Sequence, residues 1–307
     1  MSTNDSWPRI AVVGAGAVGC YFGGMLARAG AGVTLIGRPH HVEAIVRNGL
    51  QMDCINFQAR VVVTATADLA AVRGADVVLF CVKTLDTEEA ARGIAPHLAP
   101  GSVVVSLQNG VDNVERIRAA GIEALPSVVY VAAAMAAPGT IKHSGRGDIV
   151  FGHAQRKEDV QRMADCFIRA GVPCRISDNI AGELWAKLVW NCAGNAITAV
   201  GRASYGQVAQ NDLAQEVLLA AANETIAVAL AAGVTLPPMD LPAACLKLAR
   251  DLGAATSSTA QDVQRGKRTE LDSLNGYVVR RGAELGVPTP VNLTLCALVR
   301  LLEDSPA

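Results

Sequence analysis

A doubly wound α/β domain followed by an all-α domain is the architecture this sequence predicts, and three observations carry that prediction. Short β-rich runs alternate with helical runs through the first half of the chain, a glycine-rich turn joins the first such run to the first helical one, and β patterning disappears from about Ile180 onward. Strands alternating with helical patterns call for a mostly parallel sheet with crossover helices. The 307 residues also exceed the roughly 100–200 typical of one domain. A composition change at Ser177-Asp178-Asn179 divides the chain into residues 1–177 and 178–307.

In order, the strands expected in the first domain are residues 10–13, 33–36, 60–65, 77–82 and 103–107. Residues 128–134, 140–143 and 148–152 read as further strands that extend or cap the sheet, with Pro138-Gly139 and Gly145-Arg146-Gly147 as turn signals. The helical segments of the second domain are expected at 181–200, 213–232, 240–255 and 271–285.

Bulk properties exclude several classes of function. Lys and Arg number 27 against 28 Asp and Glu, a formal net charge of -1, so no global basic field draws nucleic acid or an anionic membrane. The 8 cysteines are scattered without a C-x-x-C pair, as expected of reduced thiols in a cytoplasmic protein, and neither a disulfide framework nor a metal site is expected. Residues 1–8 lack the basic and apolar pattern of a signal peptide. The longest apolar stretch, 213–236, is interrupted by Gln215, Glu216, Asn223 and Glu224, and reads as a buried helix, not a membrane span. The expected partner is a small molecule, and a homodimer is left open, since sequence does not give the oligomeric state.

Gly14-Ala15-Gly16-Ala17-Val18-Gly19 is a G-x-G-x-x-G that follows a strand and opens a helix, the context in which it marks a Rossmann-type dinucleotide site. NAD-selective sites place an acid at the end of the second strand, but this chain has Gly37-Arg38 there. A guanidinium binds the extra phosphate of NADP(H) where an acid would repel it. His40 and His41 either assist or are simply exposed. Lys83 and Asn109 follow two later strands, and ligands of open α/β sheets sit outside the carboxyl ends of strands. Read singly, each is a surface lysine or a turn asparagine; read together, they face the cofactor.

In the segment 183–198, Lys187, Asn191 and Asn195 fall at i, i+4 and i+8, with Gly194 and Thr198 on the same arc. Apolar residues cover nearly all of the remaining circumference, the pattern of a helix surrounded by protein. The stripe therefore either faces solvent or lines an enclosed polar site. In such a site desolvation would bring Lys187 toward operating pH as a general acid, and the asparagines would orient a carbonyl, hydroxyl or carboxylate. Further on, Thr269-Glu270-Leu271-Asp272 fits a capping box with Thr269 as N-cap, which leaves Glu270 in the first turn, where it could simply compensate the helix dipole. The hydroxyls of 256–259 either cap a helix or bind a carboxylate.

The chain resembles the ketopantoate reductase family over its full length. The motifs that carry the resemblance are Gly14-x-Gly16-x-x-Gly19, Ile36-Gly37-Arg38, Cys81-Val82-Lys83-Thr84, Gln108-Asn109-Gly110, Glu183-Leu184-Trp185-Ala186-Lys187-Leu188 and Arg268-Thr269-Glu270-Leu271-Asp272 with Asn275-Gly276. The resemblance implies a Rossmann domain followed by a helical domain like the C-terminal one of 6-phosphogluconate dehydrogenase, and NADPH-dependent reduction of 2-dehydropantoate to pantoate in pantothenate synthesis. It implies Lys187 as general acid, with Glu270 as its catalytic companion. Gly14 to Gly19, Arg38, Lys83, Asn109, Ala134 and Glu270 are implied as cofactor contacts, and Asn109, Lys187, Asn191, Asn195 and Ser258 as substrate contacts. Two positions depart from the family pattern, Ala255 and Tyr205, each standing where many members carry asparagine. A reductase of another 2-oxo acid or an imine, and a non-catalytic NADP(H) sensor, are the alternative readings.

Overall fold

The computed structural model describes residues 6–304; residues 1–5, most of the segment read above for a leader, lie outside the described residues, as do 305–307. The described chain forms two compact units, one of residues 6–108 and 112–180, the other of 109–111 and 181–304.

The first unit is built on β1 (Ile10–Val13), β2 (Val33–Ile36), β3 (Leu50–Cys54), β4 (Phe57–Val61), β5 (Thr64–Thr66), β6 (Val77–Phe80), β7 (Val103–Ser106), β8 (Ala124–Ala137), β9 (Thr140–Phe151) and β10 (Cys174–Ile176). Its helices are α1 (Ala17–Arg28), α2 (Pro39–Asn48), α3 (Thr87–Ile94), α4 (Asn113–Arg118) and α5 (Lys157–Arg169). The strands form one sheet in the order β4-β3-β9-β8-β7-β6-β1-β2-β5, with β10 beside β9. Among the described residues only the β3/β4 and β8/β9 pairings are antiparallel. β1, β6 and β7 are buried along their whole length. They have to be, since Phe22 and Leu26 of α1 pack on one face with Val12 and Leu35, while Ala91 and Ile94 of α3 pack on the other with Val13 and Phe80. Strand order reverses at the β1/β6 pairing, so the crevice for a ligand opens past Val13 and Phe80.

Two readings of this unit need correction. The β-branched run 60–65 is not one strand: Val61 pairs back to Leu50, whereas Thr64 pairs with Thr34, so one apolar run serves two separate places in the sheet. Gly145-Arg146-Gly147 is not a turn. It is a bulged stretch inside β9, where Arg146 has φ 55° and Gly147 φ 134°, and the pairing with β8 slips between Tyr130 and Val131.

The second unit comprises α6 (Ile180–Gly201), α7 (Tyr205–Gln210), α8 (Asp212–Ala231), α9 (Leu241–Leu252), α10 (Ser258–Gln264), α11 (Asn275–Leu285) and α12 (Pro290–Asp304). α6 is the axis. Ala186, Val189 and Ala193 pack with Leu218 and Cys245; Trp185, Leu188 and Cys192 with Val228 and Val278; Ala196 and Ala199 with Leu271 and Val299. α8 is the one helix among the described residues long and apolar enough to cross a membrane. It is not wholly buried: Leu218, Ala221, Ala222, Thr225, Val228 and Ala229 are, but Leu213 and Leu230 are exposed. Its interrupting carboxylate has a structural task. Glu224 accepts from the backbone N–H groups of Val291 (2.8 Å) and Asn292 (2.9 Å) and from Asn292 Nδ2 (2.7 Å), closing the N-terminus of α12.

The segment 271–285 is not one helix either. A short 3₁₀ turn, Leu271–Ser273, is separated from α11 by Leu274 at φ -110°, ψ -108°. The expected capping box at its start does not form. Thr269 Oγ1 does accept from Leu271 N–H (3.1 Å), but Asp272 pairs with Arg300, and the Thr269 N–H goes to Glu303 (2.7 Å).

Candidate active site

The glycines of the β1–α1 turn are required for three different reasons, read from what a Cβ would meet. At Gly14, φ is 111° and a Cβ would lie 2.6 Å from the backbone of Cys81 and Val82, so only glycine lets the turn press on the loop after β6. At Gly19 a Cβ would strike the Gly14 carbonyl and sit 2.9 Å from Val12 Cγ1, so here the glycine permits helix and strand to pack closely. At Gly16 nothing lies within 4 Å. Gly16 is also the N-cap of α1, which has no side-chain cap and no acid in its first turn. An open cradle at an uncapped helix N-terminus fits the pyrophosphate of a dinucleotide.

The loop after β2 is set against this turn. A Cβ on Gly37 would lie 2.5 Å from Ala15 Cβ, so Gly37 lets the next residue, Arg38, stand beside the glycine loop. Arg38 N-caps α2 without a side-chain cap bond, and its guanidinium is 3.5 Å from Asp86 with three-quarters of the side chain exposed. The loop after β6 is fastened from beneath. Gln108 Nε2 donates to the Val82 carbonyl (3.1 Å) and to Thr87 Oγ1 (2.7 Å), while its Oε1 accepts from Ser106 (3.0 Å). Lys83 is half-buried at the start of the 3₁₀ turn that follows.

Within the second unit, Asn109 joins Lys187 and Glu270. Lys187 Nζ donates to Asn109 Oδ1 at 2.8 Å, and Asn109 Nδ2 donates to Glu270 Oε2 at 3.2 Å. The carboxylate can only accept, which directs the asparagine's nitrogen toward Glu270 and its oxygen toward the ammonium. Two turns along α6, Asn195 is 4% exposed, and its Oδ1 accepts from the Tyr205 hydroxyl at 2.9 Å. Asn191, between them on the stripe, is half-buried. The arrangement presents an oriented ammonium and amide groups along one helix face.

Comparison with known proteins accords with this geometry. A family model described as ketopantoate reductase PanE/ApbA matches residues 10–156, and its C-terminal counterpart matches 179–303. The 2-dehydropantoate 2-reductase of Pyrococcus abyssi is 35% identical over 296 residues, covering 95% of this chain and 97% of its own. The chain belongs to the ketopantoate reductase PanE/ApbA family. A ketopantoate reductase crystal structure from Ralstonia eutropha JMP134 superposes with TM-score 0.92 at 48% identity, covering 96% of this chain and 98% of that one. A ternary structure of D-mandelate dehydrogenase with NADH and anilino(oxo)acetate shares the fold at TM-score 0.89 and 24% identity, over 96% and 98% of the two chains.

Set against the ketopantoate reductase motifs, the structure joins Lys187, Asn109 and Glu270 by hydrogen bonds. Ala134 lies in the part of β8 beyond its pairing with β7, opposite Lys142 of β9. Ser258 is exposed at the start of α10, and it is Ser257 that is buried, capping α10 through Ala260 N–H (3.0 Å) and reaching Asn195 O (3.1 Å). Thr198 does not line the stripe. It is fully buried, and its hydroxyl turns back to the Gly194 and Asn195 carbonyls, each at 2.9 Å. Gln108 and Tyr205 are absent from the site the sequence predicts, although Gln108 adjoins Asn109 in a strand-end motif and Tyr205 departs from the family pattern.

Proposed function

We propose that this chain is an NADPH-dependent 2-dehydropantoate 2-reductase with Lys187 as general acid. The hydrogen-bonded chain from Lys187 through Asn109 to Glu270 carries the reading. Glu270 holds the Asn109 amide in one orientation, and Asn109 holds one N–H of the Lys187 ammonium. That fixes the direction from which the ammonium meets a ketone oxygen. A reduced nicotinamide, when bound, supplies hydride to the carbonyl carbon. As negative charge develops on the ketone oxygen, Lys187 Nζ–H donates the proton that completes the alcohol, and the neutral amine regains a proton from solvent. Asn191 and Asn195 orient the substrate. Gly16 and the N-terminus of α1 take the pyrophosphate, and Arg38 takes the 2′-phosphate of NADP. Eight free cysteines accord with a cytoplasmic setting.

Replacing Lys187 by Ala tests the proposal. The general acid is worth about 10²–10⁴ in rate, so kcat should fall by that factor while NADPH binding, followed by its fluorescence, persists. Near-normal turnover would remove Lys187 from the role. The hydrogen bond that ties up Asn195 Oδ1 favours a second reading, reduction of a different 2-oxo acid. Comparing kcat/KM for 2-dehydropantoate with a panel of 2-oxo acids separates the two, and NADPH oxidation with any of them eliminates a sensor.

A further inference from the structure

We propose that Tyr205 is a positioning and specificity residue: by taking the amide oxygen of Asn195 it leaves that asparagine to meet a bound 2-oxo acid only as an N–H donor. This rests on the reductase reading above. The Tyr205 hydroxyl donates to Asn195 Oδ1 at 2.9 Å. Among the described residues nothing accepts from Asn195 Nδ2, so that nitrogen is the polar atom of the side chain left for a ligand. The opposite amide orientation is disfavoured. It would place two donors against each other, or leave the phenol proton of a half-buried side chain without its protein acceptor. Burial also raises the phenol well above its ordinary pKa, so the hydroxyl remains a donor through the range in which an enzyme is assayed.

The tyrosine is held in that pose from several sides. Its ring lies on Gly194, where a Cβ would come within 2.6 Å of Cε1. Tyr205 is the first residue of α7, which is closed by a reciprocal cap: Ser204 Oγ accepts from Gln207 N–H (3.3 Å), and Gln207 Oε1 accepts from Ser204 N–H (2.8 Å). Its own N–H donates to the Ala255 carbonyl at 3.0 Å, and the next N–H, of Gly206, to Gly253 at 2.7 Å. The two departures from the family pattern are therefore a single locus. Asn195 is fixed in turn from its backbone, since Ser257 Oγ donates to its carbonyl at 3.1 Å. A side chain locked as a donor selects an acceptor, and the carboxylate or keto oxygen of a 2-oxo acid is that kind of group.

The test is steady-state kinetics on the full-length enzyme at saturating NADPH, using the 2-oxo acid that the wild type reduces best. The variants are Tyr205→Phe, Asn195→Ala and the double variant. Tyr205→Phe keeps the ring on Gly194, and an unchanged melting temperature verifies the fold. Loss of the lock should raise KM for the 2-oxo acid about 10-fold, as expected for one hydrogen bond that orients a charged partner, with kcat within about 2-fold and KM for NADPH unchanged. Because Tyr205 acts through Asn195, the Phe substitution should add nothing in the Asn195→Ala background. An unchanged KM in Tyr205→Phe, or the same loss in both backgrounds, overturns the assignment and leaves the reductase reading standing. A wild type that oxidises NADPH with no 2-oxo acid overturns both.

Discussion

Among the described residues the ionic partner of Arg38 is exposed, and that decides how it can serve a cofactor. An ion pair with Asp86 at 3.5 Å, with both side chains more than half exposed, is worth about 0–1 kcal/mol, so a phosphate can displace the carboxylate at little cost. A bidentate guanidinium–phosphate contact is worth about 1.5–3 kcal/mol. Replacing Arg38 by Ala should therefore raise KM for NADPH by about 10–100-fold while leaving KM for NADH nearly unchanged, which parallel titrations with the two cofactors would show. Equal losses for both would mean that Arg38 supports the loop and does not read the 2′-phosphate. The lysine differs from the arginine in this respect, because Lys187 is oriented by an amide that is itself oriented by a carboxylate. That contrast follows from their tasks: one group binds a fixed anion, the other must let a proton go.

At the scale of elements, the β1–α1 turn makes a discriminating pair of substitutions available. Gly14→Ala forces a Cβ against the backbone of Cys81 and Val82 at a φ of 111°, and should destabilise the protein by about 1–3 kcal/mol, read from its denaturation midpoint. Gly16→Ala meets nothing within 4 Å and has an ordinary φ of -87°, so it should fold as the wild type does and yet bind NADPH more weakly, because the methyl fills the cradle. In α8, Glu224→Ala orphans two backbone N–H groups of α12 and removes one of the two acceptors of the buried Asn292 Nδ2, the other being the Ala221 carbonyl, and should lower stability by about 2–4 kcal/mol in a chemical denaturation series. These elements also show what a sequence can disclose. β1 and β2 are legible because a four-residue apolar run stops at a glycine-bearing turn. β3 and β4 are not, because Leu50–Cys54 alternates buried and half-buried residues and Phe57–Val61 half-buried and exposed ones, in a hairpin beyond the doubly wound pattern. The glycines around Arg146 look like a turn when they accommodate a bulge. In the candidate site, the Lys187 stripe follows from helical periodicity. Its link to Asn109 spans 78 positions and that of Asn109 to Glu270 spans 161, distances over which spacing carries no information and only motif resemblance does. Glu224 reads as an interruption of an apolar stretch, because its partners on α12 lie 67 and 68 positions away.

At the scale of the molecule, the chain does not divide at a single point. Residues 109–111 follow β7 and precede α4, both in the first unit, yet they belong to the helical unit, where Val111 packs with the cluster of Trp185, Leu188 and Val278. Val111→Ala should thus weaken amide-exchange protection in α6, some seventy residues away, more than in the sheet strands that flank it in sequence. Measured by hydrogen exchange, stronger deprotection of β7 than of α6 would contradict this.

The excursion of these three residues has a further consequence for anyone who recombines such proteins. A graft of the helical unit cut at residue 180 would leave behind both Val111 and the amide that holds Lys187, so it would inherit the lysine with a foreign neighbour. Heredity of the chemistry here runs through a border tripeptide, and a functional hybrid has to transplant two separate stretches of gene together.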